Sequence, residues 1–469
     1  MTFRSPRPTP DRAPQGMAPS NRWYAGVSGY EWLVLAIASA GWVFDAFEGQ
    51  IFAITRSDML SQLLGVGVHD PDVKKWGDIF LGLFLVGGTL GGIFFGSLAD
   101  RIGRRPAMTL TILFYSVFSG LTYFVSGLWQ VAVLRFFVAM GVGGEWAVAA
   151  ALVAEVFPQR ARANASGIFH ATSILGIWLA ALAGVLVGTH WRIAYLISVA
   201  PALLTLWVRM GIREPESWKQ AAATSKQRLG SLKDLLGDPL WRRRAIFGML
   251  LASVGLGTYW SVNVAGQDLA SDMLRREEAA GAVQASQDAE APSFFRNPKV
   301  AYGLIQAVGG GLGMLSFGPI CSRIGRRRTF FFSLLASAIV VPITCYLPQN
   351  WWQLMALLPA YGYFTQAMHA GFAVYFPELF PSHLRATGSG FCFNGGRFLA
   401  APMLLLSGWL KSQPYLDLRL AITLCSLLFI VGMVFLLFLP ETKGRPLPGT
   451  PAAEPALAGD SQDPSLQTR

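Results

Sequence analysis

The sequence predicts an all-α membrane protein: twelve transmembrane helices in two pseudo-symmetric six-helix halves. Three observations predict it. First, 53% of the 469 residues are hydrophobic and only 14% are charged, too few charges to cover a soluble chain of this length. Second, the apolar runs are mostly about 20 residues long, the length of helix that spans a bilayer core. Backbone groups in lipid must be satisfied internally, and long runs without alternation exclude a barrel. Third, two motifs recur in order at one spacing of roughly 220 residues, which marks a duplicated architecture. The basic turn from Gly96 to Pro106, with Asp100, Arg101, Gly103, Arg104 and Arg105, returns as Gly318 to Arg328, with Arg323, Gly325, Arg326 and Arg327. Glu155-Val156-Phe157-Pro158, leading to Arg162 and Gly167, returns as Glu378-Leu379-Phe380-Pro381, leading to Arg385 and Gly390.

Residues 1–28 are polar, Pro-rich and basic, with no apolar run before a cleavage site. They read as a disordered cytoplasmic tail rather than a signal peptide. The first half occupies 29–211, with spans expected near 29–54, 76–98, 107–126, 129–156, 164–188 and 191–211. Residues 212–244 read as a cytoplasmic linker with short amphipathic helices on the membrane surface. The second half occupies 245–439, with spans near 245–265, 300–321, 329–347, 351–376, 386–409 and 418–439. The intervening stretch 266–299 reads as a long polar outward loop, and 440–469 as a cytoplasmic tail. An even number of spans puts both ends on one side. That side collects about 25 Lys/Arg against about 10 opposite, so the N- and C-termini are expected in the cytoplasm of a plasma (inner) membrane protein. The net charge of +11 therefore belongs to loops and not to a nucleic-acid surface. Cys321, Cys345, Cys392 and Cys425 show neither disulfide nor zinc spacing and read as buried free thiols.

The turn from Gly96 to Arg105 resembles the G-x-x-x-D-R-x-G-R-R signature of the major facilitator superfamily, and the resemblance extends from about residue 30 to about residue 445. Pro440-Glu441-Thr442-Lys443-Gly444 and Glu214-Pro215-Glu216-Ser217 resemble its signatures after the twelfth and sixth helices. The resemblance implies alternating access around a midplane site. It also implies a cytoplasmic gate in which Asp100, Arg104, Glu155, Arg162, Arg326, Arg327, Glu378, Arg385 and Glu441 form salt bridges between the halves. As surface pairs these are expected to be weak singly, and only the network biases the two states. The second copy departs from the first: Ser322 stands in place of Asp100, and Leu358 and Met368 in place of Arg135 and Glu145.

Ionisable groups inside the hydrocarbon cost several kcal/mol, so each is a functional candidate. The first span holds Asp45 and Glu48, one helical turn apart; the fourth holds Arg135 and Glu145; the eleventh holds Arg397. Asp45 or Glu48 is expected to meet Arg135, and the set is read as proton-coupling. Glu145 is expected nearer the cytoplasmic end, within reach of loop arginines. Related symporters use an acid on helix one and an Arg on helix four in this way. Arg135 and Arg397 are alternatively carboxylate clamps. Tyr259, Trp260, Asn263, Gln267, Gln306, Tyr361, Gln366, His369 and Asn394 are candidate substrate contacts from the second half. His170 and His369 are lone histidines that could carry a proton.

These readings converge on a secondary transporter, a proton-coupled symporter of a small organic acid, acting as a monomer in the lipid bilayer without cofactor or metal. The acidic first span, Gly143-Gly144-Glu145 and the stretch before Arg397 resemble the aromatic-acid, sialate and metabolite symporters. A sugar porter is the alternative, although the Gln-rich motif of its seventh helix is absent. An exporter or a non-transporting ligand sensor are further alternatives. No nucleophile elbow, Walker loop or HExxH is present, which argues against an enzyme.

Overall fold

The computed structural model describes residues 22–68, 70–224, 228–279, 295–413 and 415–449. Residues 1–21 and 450–469 of the expected tails, 225–227 of the linker and 280–294 of the expected loop lie outside the described residues. Helix α1 is Gly29–Leu64, α2 Pro71–Ile102, α3 Arg104–Leu121, α4 Leu128–Val156, α5 Gln159–Val187, and α6 Trp191–Leu203 continued by Leu204–Gly211. Helix α7 is Pro239–Ala279, α8 Pro298–Ile324, α9 Arg326–Tyr346, α10 Trp351–Leu379, α11 Arg385–Ser412 and α12 Leu418–Leu436. Nine of these are apolar and long enough to cross a membrane by length and composition alone, and α6, α10 and α11 complete the twelve.

The helix starts are written in the sequence. Ser28 and Glu31 form a reciprocal capping box at α1. Asp70-Pro71, Asp238-Pro239 and Asn297-Pro298 each place a side-chain cap before a proline, opening α2, α7 and α8. Gly103 and Gly325 both sit at φ +106°, where only glycine is unstrained, and separate α2 from α3 and α8 from α9. A Cβ there would fall 2.7 Å from Glu214 Oε1 and 2.6 Å from Glu441 Oε2. Those two carboxylates accept the first backbone N–H groups of α3 (Arg104, Arg105) and α9 (Arg326, Arg327), so the duplication extends to the capping of the next helix.

Small residues then bring backbones together. Gly87 and Gly91 of α2 pack on the Phe136 and Met140 carbonyls of α4; Gly309 and Gly313 of α8 pack on the Pro359 and Tyr363 carbonyls of α10. The halves meet along α2–α11 and α5–α8. Gly96 lies against the Ala386 carbonyl, and Gly318 against that of Ala163. These contacts close the bundle at the end bearing the basic turns.

Two expectations are corrected. Helix α7 does not end near 265 in an outward loop; it continues to Ala279 through a π-helical turn at Tyr259–Asn263. The polar composition of 265–279 concealed an amphipathic helix. Ala265, Leu269, Ala270 and Met273 lie on one buried face, and Ala270 and Met273 join Trp351, Leu354 and Leu358 in a common apolar cluster. Helix α1 likewise continues past 54 to Leu64, with Thr55, Met59 and Leu60 buried.

Candidate functional site

A cavity of about 930 Å³ lies between the halves. Its walls run from Asp45, His170, Gln366 and Arg397 at mid-helix to Arg56, Lys74 and Trp409 near the opposite end from the basic turns. It is thus accessible from one side only.

Helix α1 turns its two carboxylates to different neighbours. Glu48 reaches α4, where its Oε1 lies 3.3 Å from Arg135 Nη1, and Oε2 accepts from Ser119 Oγ at 2.8 Å. The Arg135 guanidinium is held between the rings of Phe52 and Phe84, at 4.2 and 4.4 Å from their centroids. Glu48 and Arg135 are both at most 2% exposed, a desolvated ion pair with its charge balanced.

Asp45 faces Glu145 of α4. The two carboxyl groups are near enough to interact directly. Both are buried, at 2% and 0% exposure, and none of the four oxygens has a hydrogen-bond donor among the described residues. Gly41 makes the contact possible: a Cβ there would collide with Glu145 Oε1. Glu145 therefore does not reach the loop arginines as expected, because α4 places it beside α1 at the depth of Gly41.

Across the cavity, α11 presents Arg397. Its guanidinium sits 5.1 Å from the centroid of Phe393 and acts electrostatically on Asp45, with no hydrogen bond or ion pair among the described residues. An unpaired cation in an apolar cavity is chemically incomplete and suited to an anion. Arg135, by contrast, is already committed to Glu48.

The second-half candidates divide. Tyr259 and Gln366 line the cavity. Asn263 and Gln306 stand behind the wall: Gln306 Nε2 donates to the Asn263 carbonyl at 2.7 Å and to Asn263 Oδ1 at 2.9 Å. Tyr361 donates to the Val262 carbonyl at 2.5 Å. Together these fasten the π-helical turn of α7 to α8 and α10. Asn394 donates to the Gly143 carbonyl at 3.1 Å and packs on Gly92, joining the halves instead of lining the cavity. Trp42, Phe52, Phe84 and Trp260 also line the cavity. Trp260 was among the expected contacts, whereas Trp42, Phe52 and Phe84 carry no mark in the sequence that separates them from other aromatic residues of the spans.

The closed end is built around Asp100. Its carboxylate accepts from Arg104 Nη1 at 2.8 Å in its own half. In the other half it accepts from Ala386 N at 3.1 Å, Thr387 N at 2.8 Å and Thr387 Oγ1 at 2.6 Å. Asp100 of α2 is thus the N-terminal cap of α11, whose own preceding residue, Leu384, supplies no side-chain cap. Glu155 lies 2.8 Å from Arg104 and 2.6 Å from Arg385, bridging the halves. Arg104 also donates to the Ser382 carbonyl at 2.9 Å.

Three corrections follow for this network. Its central groups are not at the surface: the side chains of Asp100, Arg104, Glu155 and Arg385 are fully buried. Arg326, Glu378 and Glu441 interact within the second half, Arg326 meeting Glu378 at 2.8 Å. Arg162 donates to the Ala154 carbonyl at 2.8 Å, and neither it nor Arg327 forms an ion pair among the described residues. Burial tends to raise the Glu441 carboxyl, but four backbone N–H groups, from Lys443, Arg326, Arg327 and Thr442, hold it below its ordinary value.

The profile of the Major Facilitator Superfamily matches residues 32–274 and 300–462. The chain is 28% identical over 376 residues to a cis,cis-muconate transport protein of Acinetobacter baylyi, spanning 78% of this chain and 86% of that one. It is 27% identical over 446 residues to the sialic acid transporter NanX of Escherichia coli, spanning 91% and 97% respectively. Among solved structures, the proton:xylose symporter XylE is similar with a TM-score of 0.69 at 16% identity, over 89% of this chain and 98% of that one, a likeness of fold. The family and these relatives are transporters and not enzymes. With its twelve helices and single-sided central cavity, the chain is a multi-pass membrane transporter of small molecules and belongs to the major facilitator superfamily.

Proposed function

We propose that the protein is a proton-coupled symporter of a small organic acid. The observation that carries this reading is the juxtaposition of the Asp45–Glu145 pair with the unpaired Arg397 at one cavity. Two carboxylates and one guanidinium sum to one negative charge, and buried net charge is costly. One proton on the carboxyl pair neutralises the group in the empty site. A carboxylate bound at Arg397 consumes that cation, and a second proton on the pair restores neutrality. One proton therefore accompanies each monoanion, and the loaded site is neutral as the halves rock around it.

This stoichiometry makes monoanion transport electroneutral. The pH difference drives it, about tenfold accumulation per pH unit, while the membrane potential contributes nothing directly. Positive loops favour the basic end as cytoplasmic, so the cavity opens outward and both termini face the cytoplasm of the plasma membrane. One chain encloses the whole cavity, which suits a monomer. The muconate and sialic acid specificities of the two relatives fit an acidic substrate.

The test is flux into proteoliposomes under an imposed pH difference, with panels of organic acids and sugars. Uphill uptake of an acid that is lost in Arg397→Leu supports the reading. Uptake of sugars alone would promote a sugar porter. Ligand binding without flux would indicate a sensor.

A further inference from the structure

We propose that His170 and Gln366 form a hydroxyl-reading pair in this cavity, so that the transported acid carries a hydroxyl group. The inference rests on the anion-binding role of Arg397 proposed above and adds two specificity-determining residues to it. Hydrogen-bond roles that the surrounding groups leave no freedom to change carry it.

On α5, His170 accepts at Nδ1 from the Trp146 indole N–H at 3.2 Å. An indole nitrogen can only donate. His170 is therefore the neutral tautomer with its hydrogen on Nε2, and a second hydrogen on Nδ1 would point at a donor. This argues against His170 as a proton carrier. Trp146 lies behind the cavity wall, stacked at 3.8 Å on Phe393, while His170 lines the cavity. The Nε2–H has no acceptor among the described residues, so the wall presents a fixed donor.

On α10, the orientation of Gln366 is set through three residues. The Asn263 backbone carbonyl can only accept, so the Gln306 group facing it is the amide nitrogen. That nitrogen also bonds the Asn263 side chain, which must therefore present Oδ1. Gln366 in turn must present Nε2 to Asn263 Oδ1, at 3.1 Å. Its Oε1 has no donor among the described residues, in a residue 8% exposed that lines the cavity. The second half thus presents a fixed acceptor.

A donor from one half and an acceptor from the other are complementary to a group that accepts and donates at once, and a hydroxyl is the smallest such group. Arg397, His170 and Gln366 all line the one cavity. Arg397 and His170 flank the same Phe393 ring, at 5.1 and 6.3 Å from its centroid. A carboxylate on Arg397 would lay the body of the substrate along that ring, with its hydroxyl toward His170 and Gln366. Because the pair spans the two halves, the hydroxyl also ties them together around the substrate.

The experiment is equilibrium binding to purified full-length protein by calorimetry. The probes are benzoate and cyclohexanecarboxylate, each with its 2-, 3- and 4-hydroxy and matching methoxy derivatives. A methoxy oxygen accepts but cannot donate. In wild type, at least one hydroxy isomer should bind about tenfold tighter than both its parent and its methoxy counterpart, since either analogue leaves a buried group unpaired. In Gln366→Leu the hydroxy/methoxy ratio should fall to about one, because the acceptor that only a hydroxyl can satisfy is gone. Acids that bind in an Arg397-dependent way with no hydroxyl preference in wild type would overturn this inference alone. A ratio retained in Gln366→Leu would do the same. No binding by any acid would overturn it together with the anion-binding role of Arg397.

Discussion

Asp100→Asn isolates the charge that caps α11 while keeping the shape of the side chain. In the closed end Asp100 accepts three hydrogen bonds from the opposite half and one from Arg104. A charged acceptor makes each bond about 1 kcal/mol stronger than a neutral one, and a negative charge at a helix N-terminus adds about 0.5–1 kcal/mol. The amide also turns an –NH₂ group toward either Ala386 N and Arg104 or the two Thr387 donors. The three cross-half bonds and the helix terminus together make the loss about 3.5–4 kcal/mol. When this end opens, residue 100 meets water and the substitution costs little, so almost all of the loss falls on the closed state. The population ratio should move toward the open state by roughly 400- to 900-fold. Spin labels on cysteines placed at the exposed Ile102 and Arg328 would read it as a longer distance, since the four native cysteines are buried. Amide exchange in the first turn of α11 should accelerate in parallel. A folded variant with an unchanged distance distribution and unchanged exchange at Ala386 and Thr387 would refute the capping argument.

Other perturbations have equally definite outcomes. Asp45→Asn and Glu145→Gln should each abolish uphill uptake while leaving counterflow exchange, and the double variant should be no worse than either, as one shared site requires; additive defects in flux would contradict it. Arg397→Lys should raise the KM for monocarboxylates by about 10- to 100-fold, because a point charge loses the bidentate grip, with little change in the thermal midpoint. Gly325→Ala forces a Cβ onto a φ of +106° beside Glu441 and should cost at least about 1–2 kcal/mol, seen as a lower thermal midpoint. Glu441 has a lowered folded value, so the stability it contributes is present above the ordinary glutamate value of about 4.3 and is lost as pH falls through the lowered one. Glu441→Gln should flatten that acid limb of the stability–pH curve and leave its neutral and alkaline shape unchanged.

The sequence carried the architecture because each part of it has a local cause. Apolar run length gives the spans, Asp-Pro and Asn-Pro pairs give helix starts, and the repeated glycines at 103 and 325 give the paired turns. The far end of α7 was illegible as a span because its apolar positions follow helical spacing within a polar composition. The charged residues of the site were legible individually, since hydrocarbon makes them rare, but their pairing was not. Asp45 and Glu48 are one turn apart on α1, and which of them meets Arg135 depends on the rotation of α1 against α4. That rotation is set by Gly41 admitting Glu145, a fact of packing. The same holds for Asn394, whose polar side chain joins the halves at Gly92. The hydrogen-bond roles of His170 and Gln366 depend on neighbours from distant segments, so no motif announces them.

The most direct measurement is external pH in lightly buffered proteoliposomes when an organic acid is added, with protein-free liposomes correcting for passive acid permeation. Charge balance at Asp45, Glu145 and Arg397 predicts alkalinisation that requires all three residues, with one proton per monoanion and no change under a potassium-diffusion potential. Acid uptake with no pH change, or uptake that follows the potential in the absence of a pH difference, would contradict it.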